Sequence, residues 1–125
     1  MRYLLDTQVY LWFLVDSGRL SKKARSALDG AEQLFVSAAS VWEAAIKQAI
    51  GKLAVETADL VAGIERSGFT ELPVTASHAA RVATLPHHHR DPFDRLLIAQ
   101  AIVEPLHLLT ADPGLAQYSE LVELV

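Results

Sequence analysis

The sequence predicts an α/β fold built on a central, mostly parallel sheet. Three observations lead there: short apolar runs bounded by turn residues recur along the chain, segments of helical periodicity separate them, and glycines stand where those segments stop. Strands alternating with helices pair in parallel, because each helix carries the chain back across the sheet. The length agrees. At 125 residues and 51% hydrophobic, residues 1–125 make a single domain that buries about two thirds of its unfolded surface.

Tyr3-Leu4-Leu5 opens the chain as the first strand, ending on Asp6. Tyr10 to Val15 follow as a helix that is apolar all round, a pattern open to burial under neighbouring helices or to use as a partner surface. Residues 21–29 form a helix stopped by Gly30, and Leu34-Phe35-Val36 the second strand. Residues 38–50 form a helix with Val41, Trp42, Ala45, Ile46, Ala49 and Ile50 at helical spacing, stopped by Gly51. Residues 57–67 form another, stopped by Gly68; a glycine just past a helix is the expected left-handed cap. Residues 70–74 read as a third strand, 106–110 as a fourth and 121–125 as a last one. Between them, residues 92–103 form a helix apolar on nearly every side, hence central and buried. Asp91 caps it, with Pro92 at its first position and Asp94 at its third.

Composition excludes several chemistries. With no cysteine there is no disulfide scaffold, thiolate zinc site, iron–sulfur cluster or cysteine nucleophile. The formal charge of −4 argues against a protein that coats polyanions, though not against an enzyme that meets nucleic acid locally. The apolar run from Val9 to Val15 falls far short of the about 20 residues that span a membrane. Asp6 interrupts the opening where a signal peptide would stay apolar, so the expected location is the cytoplasm.

Four of the carboxylates fall at strand ends or helix starts: Asp6, Glu43, Asp94 and Asp112. In an open parallel sheet these positions share one rim, where ligands bind. Like charges 4 Å apart cost about 4 kcal/mol at an effective dielectric of 20, and a divalent cation removes that cost. Oxygen ligands without thiolate point to Mg²⁺ or Mn²⁺, ions that serve phosphodiester hydrolysis by an activated water. Each acid also has a purely structural reading. Asp6 can cap the next helix, Glu43 can complete a capping box with Ser40 or pair with Lys47, Asp94 can favour the helix dipole, and Asp112 can cap before Pro113. Asp91 is assigned to capping rather than to the metal.

Leu4-Leu5-Asp6-Thr7, the run from Val36 to Glu43, the run from Asp91 to Ala101 and Leu109-Thr110-Ala111-Asp112 together resemble the motifs of PIN-domain ribonucleases, most closely the VapC-type toxins of toxin–antitoxin modules. The resemblance runs the whole chain in order. It implies a three-layer α/β/α fold and a metal-dependent endoribonuclease. By position, Asp6, Glu43 and Asp94 correspond to the metal-binding catalytic acids and Asp112 to a fourth, more variable one, with Thr7 and Thr110 as supporting hydroxyls. It implies an RNA substrate, a homodimer and an inhibiting antitoxin. Gln8 departs from the pattern, which has Asn or His there.

Among the basic residues, Arg95, Arg90 and Lys47 stand nearest the rim as substrate contacts. Arg19, Lys22, Lys23 and Arg25 form a cluster open to RNA or to solvent. His87-His88-His89 read as a solvated loop, and His78 and His107 as structural. Two other readings share the fold: a Mg²⁺-binding phosphoacceptor signalling domain and a catalytically silent binding domain. The first needs paired acids at the first strand end and a late lysine, yet no lysine follows residue 52.

Overall fold

The computed structural model describes residues 1–88 and 90–125; the expectation placed on His89 lies outside the described residues. Its centre is a five-stranded sheet of β1 (Arg2–Leu5), β2 (Gln33–Ser37), β3 (Thr70–Leu72), β4 (His107–Thr110) and β5 (Val122–Leu124), in the order β3-β2-β1-β4-β5. Every pairing is parallel. The helices are α1 (Thr7–Leu14), α2 (Lys22–Gly30), α3 (Ala38–Ala49), α4 (Thr57–Arg66), α5 (Ala76–Arg81) and α6 (Pro92–Val103), with short 3₁₀ turns at Val82–Thr84 and Pro113–Gln117.

Both faces of the sheet are covered, which is why its strands read as unbroken apolar runs rather than alternating ones. Tyr3, Leu5, Val36 and Leu109 pack on one side with residues of α1, α2, α3 and α4. Leu4, Phe35, Leu72 and Leu108 pack on the other with α6, whose Leu97, Ile98, Ala99 and Ala101 are buried. The result is the three-layer α/β/α arrangement. The chain builds β1 to β3 outward in one direction, then returns to β4 on the other side of β1. That reversal is the topological switch point of a doubly wound sheet, and it lies between β1 and β4.

Local details differ from expectation for physical reasons. The third strand stops at Leu72, because Pro73 has no N–H to continue the ladder. Gly51 and Gly68 take the left-handed conformation (φ +76° and +78°) and close α3 and α4 as predicted. Gly30 does not; it ends α2 in a helical turn, and the extended Ala31 leads into β2. The apolar helix begins at Thr7 rather than Tyr10, since Asp6 caps it. Most of that helix is core: Val9, Tyr10 and Leu11 are buried, and the Tyr10 hydroxyl donates to the Leu60 carbonyl at 2.7 Å. Among the described residues, no helix is long and apolar enough to cross a membrane.

Candidate active site at the switch point

The ends of β1 and β4 lie side by side, joined by the Asp6 N–H donating to the Leu109 carbonyl at 3.0 Å. Asp6 therefore sits at the switch point itself. Its Oδ1 accepts from the Val9 N–H at 2.8 Å, capping α1, and its Oδ2 accepts from the Thr110 hydroxyl. Capping and a place in the site are not alternatives here, because each uses a different oxygen. Burial pushes the Asp6 carboxyl up to about 6 despite these two hydrogen bonds, and the nearby charges of Glu43 and Asp112 push the same way.

Glu43 projects from the second turn of α3 and is almost fully buried. Ser37, not Ser40, caps that helix: its Oγ accepts from the Ala39 N–H at 3.0 Å, so Ser40 and Glu43 do not form the capping box. Ser40 is instead buried, accepting from the Thr7 hydroxyl at 3.0 Å, which ties α1 to α3 across the site. The Glu43 Oε2 pairs with Lys47 Nζ at 3.1 Å. Its Oε1 is buried and has no hydrogen-bond partner among the described residues. Asp91 Oδ1 accepts from the N–H groups of Phe93 and Asp94 and so caps α6, with Asp94 in the first turn. Asp112 Oδ1 accepts from the Gly114 N–H at 2.9 Å, and its own N–H donates to Thr110 Oγ1 at 3.0 Å.

These groups line one polar pocket of about 200 Å³. Asp6, Glu43, Asp94 and Asp112 all face it, together with Asp91, Thr7, Gln8 and Lys47. The four acids singled out from the sequence are thus brought to one opening by four separate elements. Asp91 lines it as well, while also capping α6, a double role that its position before Pro92 obscured.

The donor set suits a hard divalent cation: it is all oxygen, burial raises its deepest carboxyl, Asp6, so that a cation beside it would be favoured, and Glu43 Oε1 is a buried acceptor without a donor among the described residues. As the side chains stand, no group of three or more acids or histidines among the described residues is arranged to ligate a metal ion. Like charges crowd the pocket, and among the described lining residues Lys47 is the one positive charge.

The basic residues divide. Lys47 is at the pocket, and Arg90 is exposed just before Asp91. Arg95 turns away from solvent: its guanidinium donates to the carbonyls of Pro86 (2.8 Å) and Val82 (3.2 Å) and to the Tyr118 hydroxyl (3.3 Å). It braces the segment leading to Asp91. Being next to Asp94 in sequence gave it the wrong direction, since consecutive helical residues point about 100° apart. In the α2 cluster, Arg25 is held by Asp16 at 3.1 Å and the Ser17 carbonyl at 3.1 Å. His87 and His88 are exposed, with His88 edge-on to Tyr118 at 5.2 Å. His78 is buried: its Nδ1 accepts from the Thr75 N–H and its Nε2 lies 2.6 Å from Glu104 Oε2. His107 packs edge-on against Tyr3.

Three comparisons bear on this arrangement. The family model for the PIN domain matches residues 3–121. Ribonuclease VapC22 of Mycobacterium tuberculosis is 33% identical over 118 residues, covering 92% of this chain and 90% of its own. Among solved structures, VapBC2 from Rickettsia felis, bound to a DNA fragment from its promoter, superposes with a TM-score of 0.71 at 15% identity, over 100% of this chain and 98% of that one. VapC20 of Mycobacterium tuberculosis, a sarcin–ricin loop cleaving toxin, superposes with a TM-score of 0.65 at 12% identity, over 94% and 97%.

Proposed function

The chain belongs to the PIN-domain family, and from that membership and the acid-lined pocket we propose that it is a metal-dependent endoribonuclease, the toxin of a toxin–antitoxin module. The observation that carries the reading is the convergence of Asp6, Glu43, Asp94 and Asp112 on one pocket at the switch point. The 33% identity to a ribonuclease supports the reaction class, and the likeness to VapBC assemblies supports a cognate antitoxin as partner.

Asp6, Glu43 and Asp94 would hold one or two Mg²⁺ or Mn²⁺ ions, with Asp112 as the fourth carboxylate. Such an ion, when bound, neutralises charge on the scissile phosphate and lowers the pKa of an attacking water. The chain's own residues do the rest. Thr110 fixes the Asp6 carboxylate through its hydroxyl, and the Thr7–Ser40 hydrogen bond sets the spacing between α1 and α3. Asp91 holds the first turn of α6, which aims Asp94 into the pocket. Lys47 pairs with Glu43 at 3.1 Å and would be released to meet a phosphate oxygen once a bound cation took over that carboxylate; Arg90 is a second cation for the substrate backbone. The protein acts as a homodimer, and the antitoxin inhibits it by covering this pocket.

Asp6→Asn and Asp94→Asn variants test the reading. Both keep a capping oxygen or the helix turn intact, so each is expected to fold as the wild type does. Each is expected to lose Mg²⁺-dependent cleavage of RNA by at least about 100-fold, the scale of removing a preorganised catalytic charge. Cleavage undiminished in both would refute the assignment.

A further inference from the structure

Beside the acid-lined pocket lies a second cleft, of about 400 Å³, between α1 and the turn that ends α3. Gln8 and Lys47 line both, so the two are adjacent. Its remaining walls include Trp12, Lys52, Leu53 and Val55.

The turn explains why two lysines meet there. Gly51 adopts φ +76°, the Lys52 N–H donates to the Lys47 carbonyl at 2.8 Å, and the Gly51 N–H donates to the Gln48 carbonyl at 3.1 Å. This is the Schellman closure of a helix, in which the residue after the glycine folds back beside the one five positions earlier. That contact is ordinarily apolar. Here the two positions carry lysines, and both line the cleft. Lys47 has Glu43 as a partner, whereas Lys52 has no acidic group within 4 Å among the described residues. Trp12 presents a half-buried indole in the same cleft. A cation pair beside an aromatic wall is the chemistry that holds single-stranded nucleic acid, with charge on the phosphate and the ring under a base.

We propose that this cleft binds the nucleotide next to the cleaved bond, its phosphate between Lys47 and Lys52 and its base against Trp12. The proposal rests on the nuclease reading above and adds Trp12 and Lys52 as substrate-binding residues.

The test uses a fluorescein-labelled, single-stranded 12-nucleotide RNA of mixed sequence, with Mg²⁺ present and the full chain carrying Asp94→Asn so that binding is read without cleavage. Adding Lys52→Ala is expected to weaken binding and to lower the slope of log affinity against log salt by about 0.7, the share of one phosphate in a single strand. Adding Trp12→Ala is expected to weaken binding by roughly 5- to 150-fold, from the loss of one stacked base, with Trp12→Phe restoring most of it. In a Trp42→Phe background, RNA is expected to quench the remaining Trp12 emission. Unchanged affinity and salt slope in Lys52→Ala, or unchanged affinity in Trp12→Ala, overturns the proposal. So does a result in which both variants bind RNA normally but fail to form a complex with a co-purified antitoxin, because the cleft is then a protein-docking site. Cleavage by the unmutated chain, measured alongside, separates the two levels: its absence refutes the nuclease reading, whereas cleavage with unaltered binding in these variants refutes the subsite alone.

Discussion

Asp6 shows how one side chain can serve the fold and the site together. One oxygen satisfies the start of α1 and the other takes the Thr110 hydroxyl, yet burial still holds its carboxyl up to about 6. A carboxylate held in that state gains from a cation more than a solvated one does. Tyr10 is a simpler case of the same physics. Burial raises its hydroxyl to about 12, against 10 for the free side chain. The unfolded chain releases this proton near pH 10 while the fold retains it, so the native state binds more protons and stability falls as pH rises from 10 toward 12. Tyr10→Phe is expected to cost about 1 kcal/mol at neutral pH through the lost hydrogen bond to Leu60. It should also flatten part of the alkaline decline in urea-unfolding midpoints; an unchanged decline would show that the hydroxyl is not the group responsible. Arg95 marks the limit of reading residues from the chain alone. Its partners are carbonyls of a turn ten or so residues earlier, and no local pattern announces them. Arg95→Ala leaves those carbonyls without their donor, so a loss of about 2–3 kcal/mol in unfolding free energy is expected, with amide exchange faster over residues 82–88. A loss below about 0.5 kcal/mol would mean the brace is replaceable by water.

Helices and strands were legible where the pattern is local. The apolar runs located all five strands, and Asp91-Pro92 marked the start of α6. Errors arose where a neighbouring segment decides the outcome. Gly30 looks like Gly51 in sequence, but the chain after Gly30 must enter β2 at once, so a left-handed turn is not used. Ser40 resembles a cap, but Ser37 at the end of β2 takes that role and releases Ser40 to meet Thr7. The turn after α3 is the element on which the neighbouring cleft depends. Ala at position 51 would have to adopt φ +76°, so Gly51→Ala is expected to destabilise by about 1–2 kcal/mol. It should also weaken RNA binding by displacing Lys52. A variant as stable as wild type would show that the turn relaxes into a right-handed form without cost.

The whole molecule explains why four distant acids meet. Strand order β3-β2-β1-β4-β5 places the ends of β1 and β4 at the reversal, and the starts of α3 and α6 open beside them. Alternation of strands and helices was enough to predict one shared rim, but not that the reversal falls at Asp6, because strand order is invisible to periodicity. The net charge of −4 gains meaning in the same way: part of it is concentrated at one pocket where, among the described lining residues, the only cation is Lys47. Divalent cation binding should therefore raise the thermal midpoint, adding RT ln(1 + [L]/Kd) to the unfolding free energy, about 2.7 kcal/mol at a hundred times Kd. The most direct measurement is a calorimetric Mn²⁺ titration of the wild type beside Asp6→Asn. Saturable binding by the wild type, abolished or weakened at least tenfold in the variant, is the expected result. No binding by the wild type, or equal binding by both, would contradict a cation site built on the carboxylates of the switch point.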